Sequence, residues 1–137
     1  MTISADQSTY AYYTSERPAS SQITIRSNGP GEIIVDKPKS DSVRGANHMT
    51  WWVVNETTDP HTVTVTNFRV KATGQLEWPF DNPESDGTVR ALPGISRIKL
   101  KTKDRGPNGK KGTWVYTYDV VVDGVPREPE IVVEWPI

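Results

Sequence analysis

The chain has no cysteine, and only three leucines and two methionines among its 137 residues. Without a thiol there is no disulfide, no iron–sulfur cluster, no thiolate zinc site and no cysteine nucleophile. Stability must come from packing, and a chain of this length can bury one substantial core. No apolar run approaches the roughly 20 residues that a membrane helix needs, so no membrane span is expected. Met1–Tyr10 has neither a basic start nor an apolar stretch, which is not the pattern of a signal peptide. The expected compartment is the cytoplasm, or a secreted or periplasmic one if a leader has been removed. Leucine, methionine and alanine together number 11, against 39 for valine, isoleucine and threonine, and this balance excludes an all-helical fold.

What is present is a series of short β-branched runs punctuated by 10 glycines and 11 prolines, the pattern of a sandwich or barrel. Seven strands can be read. Gln22–Ser27 and Glu32–Asp36 flank the turn Asn28-Gly29-Pro30-Gly31 and form an early pair. His48–Asn55 is continuously apolar at Trp51, Trp52, Val53 and Val54, which reads as a central strand covered on both faces. Thr62–Lys71 alternates and shifts face near Phe68; Ser96–Lys103, Gly112–Val122 and Glu130–Trp135 complete the set. Thr73–Gly94 is expected to be one long loop, and the prolines around the last strand limit its extent. The domain is placed at residues 22–137, and residues 1–21 form an N-terminal arm or an edge strand around Tyr10–Thr14.

Trp51-Trp52-Val53-Val54-Asn55 followed by Asp59-Pro60-His61-Thr62-Val63 resembles the cupredoxin segment in which a Val-x-Asn strand is followed by a Pro-His-x-Val loop. Gly112-Thr113-Trp114-Val115-Tyr116 resembles that family's Gly-Thr-aromatic-x-aromatic strand. The resemblance spans about residues 22 to 135 and implies an all-β, Greek-key β-sandwich of about seven to eight strands. It also implies that His61 stands where the first copper ligand would be. The copper cysteine, however, would fall at Tyr118, the second histidine near Val121 and the axial methionine near Pro126. A type 1 copper centre is therefore excluded. The stretch from Asp119 to Val133, with its Asp123-Gly124 turn, looks like the copper-free branch of cupredoxin-like domains.

Three features carry functional expectations. Imidazole and carboxylate suit copper or zinc, so His61, joined by His48 or Asp59, could hold a metal as an alternative to having no cofactor. In the competing reading, Pro60-His61 only shapes a loop. Second, Arg97, Lys99, Lys101, Lys103 and Arg105 recur at every second residue and share one face of a strand. With Lys110 and Lys111 there are seven basic residues against Asp104, a balance of +6, so within the net charge of -1 the remainder carries -7. Such polarity suits a protein partner or self-association, or it protects an edge strand from pairing. With a pI near 6.1 it does not suit nucleic acid. Third, Trp78 and Phe80 lie beside Asp81, Glu84 and Asp86, either as anchors for a partner or as a lid over the sandwich.

No Gly-x-Ser-x-Gly, His-Glu-x-x-His or phosphate-loop pattern occurs, and no enzyme is expected. The sequence therefore reads as a non-enzymatic binding or assembly module that uses Trp78 and Phe80 as anchors and Arg97, Lys99, Lys101 and Lys103 for steering. Five tryptophans keep carbohydrate binding as a weaker alternative.

Overall fold

A computed structural model describes residues 19–36, 38 and 41–136. The arm and the Tyr10–Thr14 strand expected from the sequence lie outside these residues. Among the described residues, ten strands form two sheets. They are β1 (Ala19–Ser27), β2 (Ile33–Asp36), β3 (Asp41–Arg44), β4 (His48–Asn55), β5 (His61–Val70), β6 (Thr88–Ala91), β7 (Gly94–Lys101), β8 (Gly112–Val122), β9 (Val125–Arg127) and β10 (Glu130–Trp135). One sheet has the order β2-β1-β4-β7; the other has β3-β10-β8-β5-β6, with β9 also on β8. β1 runs parallel to β4 and β3 parallel to β10, while the remaining pairs are antiparallel. The chain passes back and forth between the sheets as it advances, so each sheet needs the other to cover its apolar face.

Period-two alternation decides what is buried. Ile23, Ile25, Trp51, Val53, Ile98 and Leu100 point inward from the four-stranded sheet. Val63, Val65, Tyr116, Tyr118, Val120, Ile131 and Val133 meet them from the other sheet. At the centre the Tyr118 ring stacks on Phe68 with centroids 4.7 Å apart, and Trp51 meets Tyr118 edge-on at 5.9 Å while donating its Nε1–H to the Tyr118 hydroxyl at 3.0 Å. Each aromatic contact of this kind adds about 0.5–1.5 kcal/mol to what burial alone supplies. Phe68 faces inward because the β5–β8 register slips between Thr66 and Arg69, where Asn67 adopts φ 57°.

Three strands go beyond the seven read from the sequence, and each is too short to alternate visibly. β3 buries Val43, β6 buries Ala91, and β9 is three residues built around Pro126. Because β6 and a single 3-10 turn at Glu84–Gly87 lie within Thr73–Gly94, that stretch is not one long loop. β1 begins at Ala19 rather than Gln22. β4 is central, between β1 and β7, but it is covered on one face only: its burial alternates, leaving Trp52 on the outside. No helix among the described residues is long and apolar enough to cross a membrane.

Candidate functional site

His61 opens β5, at the end of the sandwich where the β4–β5 loop meets the β8–β9 turn. Its Nδ1 is 2.5 Å from Oδ2 of Asp123 and its Nε2 is 3.0 Å from Oγ1 of Thr57. Asp123 and Gly124 both take positive φ, 50° and 85°, the two-residue turn that an Asp-Gly pair favours between antiparallel strands. The Asp123 Oδ1 also accepts the Thr62 N–H at 3.0 Å. Burial alone would raise the pKa of this carboxyl. The His61 hydrogen bond, the Thr62 N–H and the His61 charge outweigh burial and hold it below its ordinary 3.8.

The loop beneath is organised by Asn55, which is buried. Its Nδ2 donates to Asp59 O at 2.8 Å and Ala91 O at 2.9 Å, and its Oδ1 accepts the Thr57 N–H at 2.9 Å and the Thr57 hydroxyl at 2.7 Å. A hydroxyl has one proton, and the shortest contact commits it to Asn55. Thr57, His61 and Asp123 thus lie in the order of a hydroxyl–imidazole–carboxylate relay, but the hydroxyl is held within the loop rather than turned to a substrate.

The two histidines are not brought together. His48 opens β4 opposite Lys101, whereas His61 lies beyond the other end of that strand. Seven residue steps separate His48 from Asn55, about 23 Å of extended chain. Both ring nitrogens of His61 already have partners within the protein, and among the described residues no group of three His, Asp or Glu side chains is gathered for a metal. The structure thus sets the two histidines apart, with β4, paired to β1 and β7, running between them.

Trp78 and Phe80 also do not protrude. Phe80 is only 1% exposed and packs edge-on against Trp51 at 5.9 Å and Phe68 at 5.2 Å. Trp78 is half-buried over Phe68 and donates its Nε1–H to Asn82 O at 2.6 Å. The loop is fastened to the end of β7: Asp81 N–H donates to Lys101 O at 2.8 Å, Lys101 N–H to Asn82 Oδ1 at 2.8 Å, and Lys103 N–H to Pro79 O at 2.9 Å. Phe80 thus completes the core, where an aromatic ring gains more than it would standing in water, while Trp78 packs over it with part of its surface exposed.

The basic stripe lies on the outer face of the four-stranded sheet. Arg97 and Lys99 are exposed and Lys101 is half-buried, while Lys103 lies beyond the end of β7, where its carbonyl accepts the Trp135 indole N–H at 2.8 Å. Cross-strand neighbours pair Arg97 with Trp52, Lys99 with Thr50 and Lys101 with His48, and Gln22 and Ser20 of β1 follow in the same rows. Trp52 is 40% exposed and Ile95 71%. Asp36, on the same face, is already paired with Arg26 at 3.0 Å, and none of the ion pairs among the described residues involves β7. The face therefore carries an exposed indole opposite Arg97, with Lys99 and Lys101 further along β7, and among the described residues none of the three cations has a carboxylate partner. Trp52 was missed as a surface residue because adjacent tryptophans fix only that one faces out, and not which.

No protein-family model matches the chain, and no curated protein matches it. Among solved structures, it is similar to the multicopper oxidase McoA from the hyperthermophile Aquifex aeolicus, with 13% identity and a TM-score of 0.47 over 88% of this chain and 30% of that one. It is also similar to a purple cupredoxin from Nitrosopumilus maritimus, with 19% identity and a TM-score of 0.39 over 82% of this chain and 98% of that one. A laccase from Pediococcus acidilactici gives 8% identity and a TM-score of 0.41 over 85% of this chain and 29% of that one. The chain thus spans about 30% of the length of the oxidases it resembles. These likenesses concern the fold alone. The described residues form a two-sheet β-sandwich, and the chain, having no cysteine, cannot assemble a type 1 copper centre.

Proposed function

We propose that the domain is a non-enzymatic binding module whose working surface is the β4–β7 half of the outer sheet face, and that its partner is a protein presenting acidic side chains. The observation that carries this reading is Trp52, 40% exposed and opposite Arg97, with Lys99 and Lys101 following along β7 and no ion pair to any of the three among the described residues. Tryptophan and arginine are the side chains most enriched where binding energy concentrates, and unpaired cations on a flat face speed the encounter with an anionic surface. Among the described residues Trp52 is the one exposed aromatic, which favours a protein over a sugar chain gripped by several rings. A balanced net charge of -1 argues against nucleic acid.

The test is titration with a polyglutamate peptide at low ionic strength, on the native protein, on Trp52→Ala and on the double variant Arg97→Glu/Lys99→Glu. Both changes are expected to weaken binding about tenfold or more, the charge reversal chiefly by slowing association. Equal binding by all three proteins, or none by any, would overturn the reading. A soluble polysaccharide that bound in a Trp52-dependent way would replace it with carbohydrate recognition.

A further inference from the structure

Among the described residues β7 is the edge strand of its sheet; its Lys101 end is closed, and although the 3-10 turn Glu84–Gly87 and β6 lie close by, no further strand is paired along Ile95–Lys99. On the β4 side, Thr102 N–H donates to Asn47 O at 2.9 Å, which fixes the parity of the ladder: even-numbered residues of β7 bond to β4 and odd-numbered ones face away. Lys101 obeys this rule, and its N–H and carbonyl are taken by Asn82 Oδ1 and Asp81 N–H, each at 2.8 Å. At Ile95, Arg97 and Lys99 the outward N–H and C=O groups have no bonding partner among the described residues. The side chains of these same three residues project onto the outer face beside Trp52. Arg97 and Lys99 therefore carry both an open ladder position and a cation with no ion pair among the described residues.

We infer that an extended acidic segment of a partner protein adds to the sheet as a strand beside Ile95–Lys99. This rests on the proposed function above and specifies its mode. Alternate residues of an extended peptide are spaced roughly 6.6 Å apart, the same as Arg97, Lys99 and Lys101 along β7. A peptide with a carboxylate at every second position can thus oppose Arg97 and Lys99 while its backbone completes the ladder at 95, 97 and 99. Lysine on an edge repels neutral and basic strands, and a second copy of β7 would set Arg97 and Lys99 against themselves. The same charges that prevent self-pairing select an acidic strand.

The probe is an acetylated, amidated peptide of alternating threonine and glutamate, long enough to span Ile95–Lys99, added to isotope-labelled protein. Amide hydrogen exchange at Ile95, Arg97 and Lys99 is expected to slow about tenfold or more on saturation, with no change at Ser96 and Ile98, which already bond to β4. N-methylation of the peptide on its edge-facing nitrogens should weaken binding about tenfold, since each lost backbone bond counts separately. A peptide of the same composition with its glutamates in one block should also bind more weakly. If the alternating peptide perturbs the Trp52 indole but leaves the three amides unprotected, or if N-methylation changes nothing, strand addition is wrong and the acidic-partner reading stands. If neither acidic peptide binds at low ionic strength, both are wrong.

Discussion

Replacing Tyr116 by phenylalanine is expected to stabilise this domain, whereas the same replacement at Tyr118 is expected to destabilise it. Both phenols lie in the core on β8, 0% and 1% exposed. The Tyr118 hydroxyl accepts the Trp51 indole N–H at 3.0 Å. The Tyr116 hydroxyl has no hydrogen-bond partner among the described residues. Burial, and secondarily the charge of Glu77, push its ionisation well above the ordinary 10.0, so it is a neutral hydroxyl stripped of water. An unsatisfied buried polar group costs about 1–3 kcal/mol, and Tyr116→Phe should recover about 1 kcal/mol of that once the small void left by the oxygen is charged against it. Tyr118→Phe instead leaves the Trp51 N–H orphaned in the core and should lose about 1–3 kcal/mol. The two variants therefore differ by about 2–4 kcal/mol although each loses one oxygen atom. Urea unfolding with unchanged m-values measures the difference, and the stabilised variant should gain about 3–5 °C in Tm. A loss of about 1 kcal/mol or more in Tyr116→Phe would refute the reasoning, because it would mean that the hydroxyl is bonded and helps hold the core.

Further expectations follow from other buried or tight positions. Asn55→Ala removes four hydrogen bonds and leaves Ala91 O unanswered, so unfolding should become easier by about 2–4 kcal/mol. Gly45→Ala would place a Cβ 2.2 Å from Cδ1 of the buried Trp135, whose indole is already tied to Lys103 O, and should cost about 1–3 kcal/mol in thermal unfolding. Asp123 has its folded value lowered below 3.8, so its contribution is fully present above that pH and is lost as pH falls through the depressed folded value. Acid unfolding of Asp123→Asn should accordingly show a shallower loss of stability below about pH 4 than the native protein, the effect being small because the side chain is 44% exposed. Calorimetric titration with copper or zinc should show no site that disappears in His61→Ala, since both ring nitrogens are already engaged; stoichiometric binding lost in that variant would refute the placement of His61.

Much of the fold was legible because strand alternation is a property of the backbone. β4, β8 and β10 have the limits read from the sequence, and the face shift near Phe68 appears as the slip at Asn67. The short strands β3, β6 and β9 were illegible because three or four residues carry too few alternations to be distinguished from a loop. The Pro60-His61 motif was also visible, but its partner Asp123 lies 62 residues away, and only the β5–β8 register brings them together.

The sequence by itself determined that this protein is a β-sandwich and that it holds no type 1 copper, because side-chain period and the absence of a thiol are facts of the covalent chain. Only the tertiary structure decided which tryptophan faces water, that Phe80 closes the core, that the two histidines lie apart and that β7 ends up at an edge. Each of these depends on which strands become neighbours and in what register, and a shift of a single residue in that register exchanges every inward side chain for an outward one.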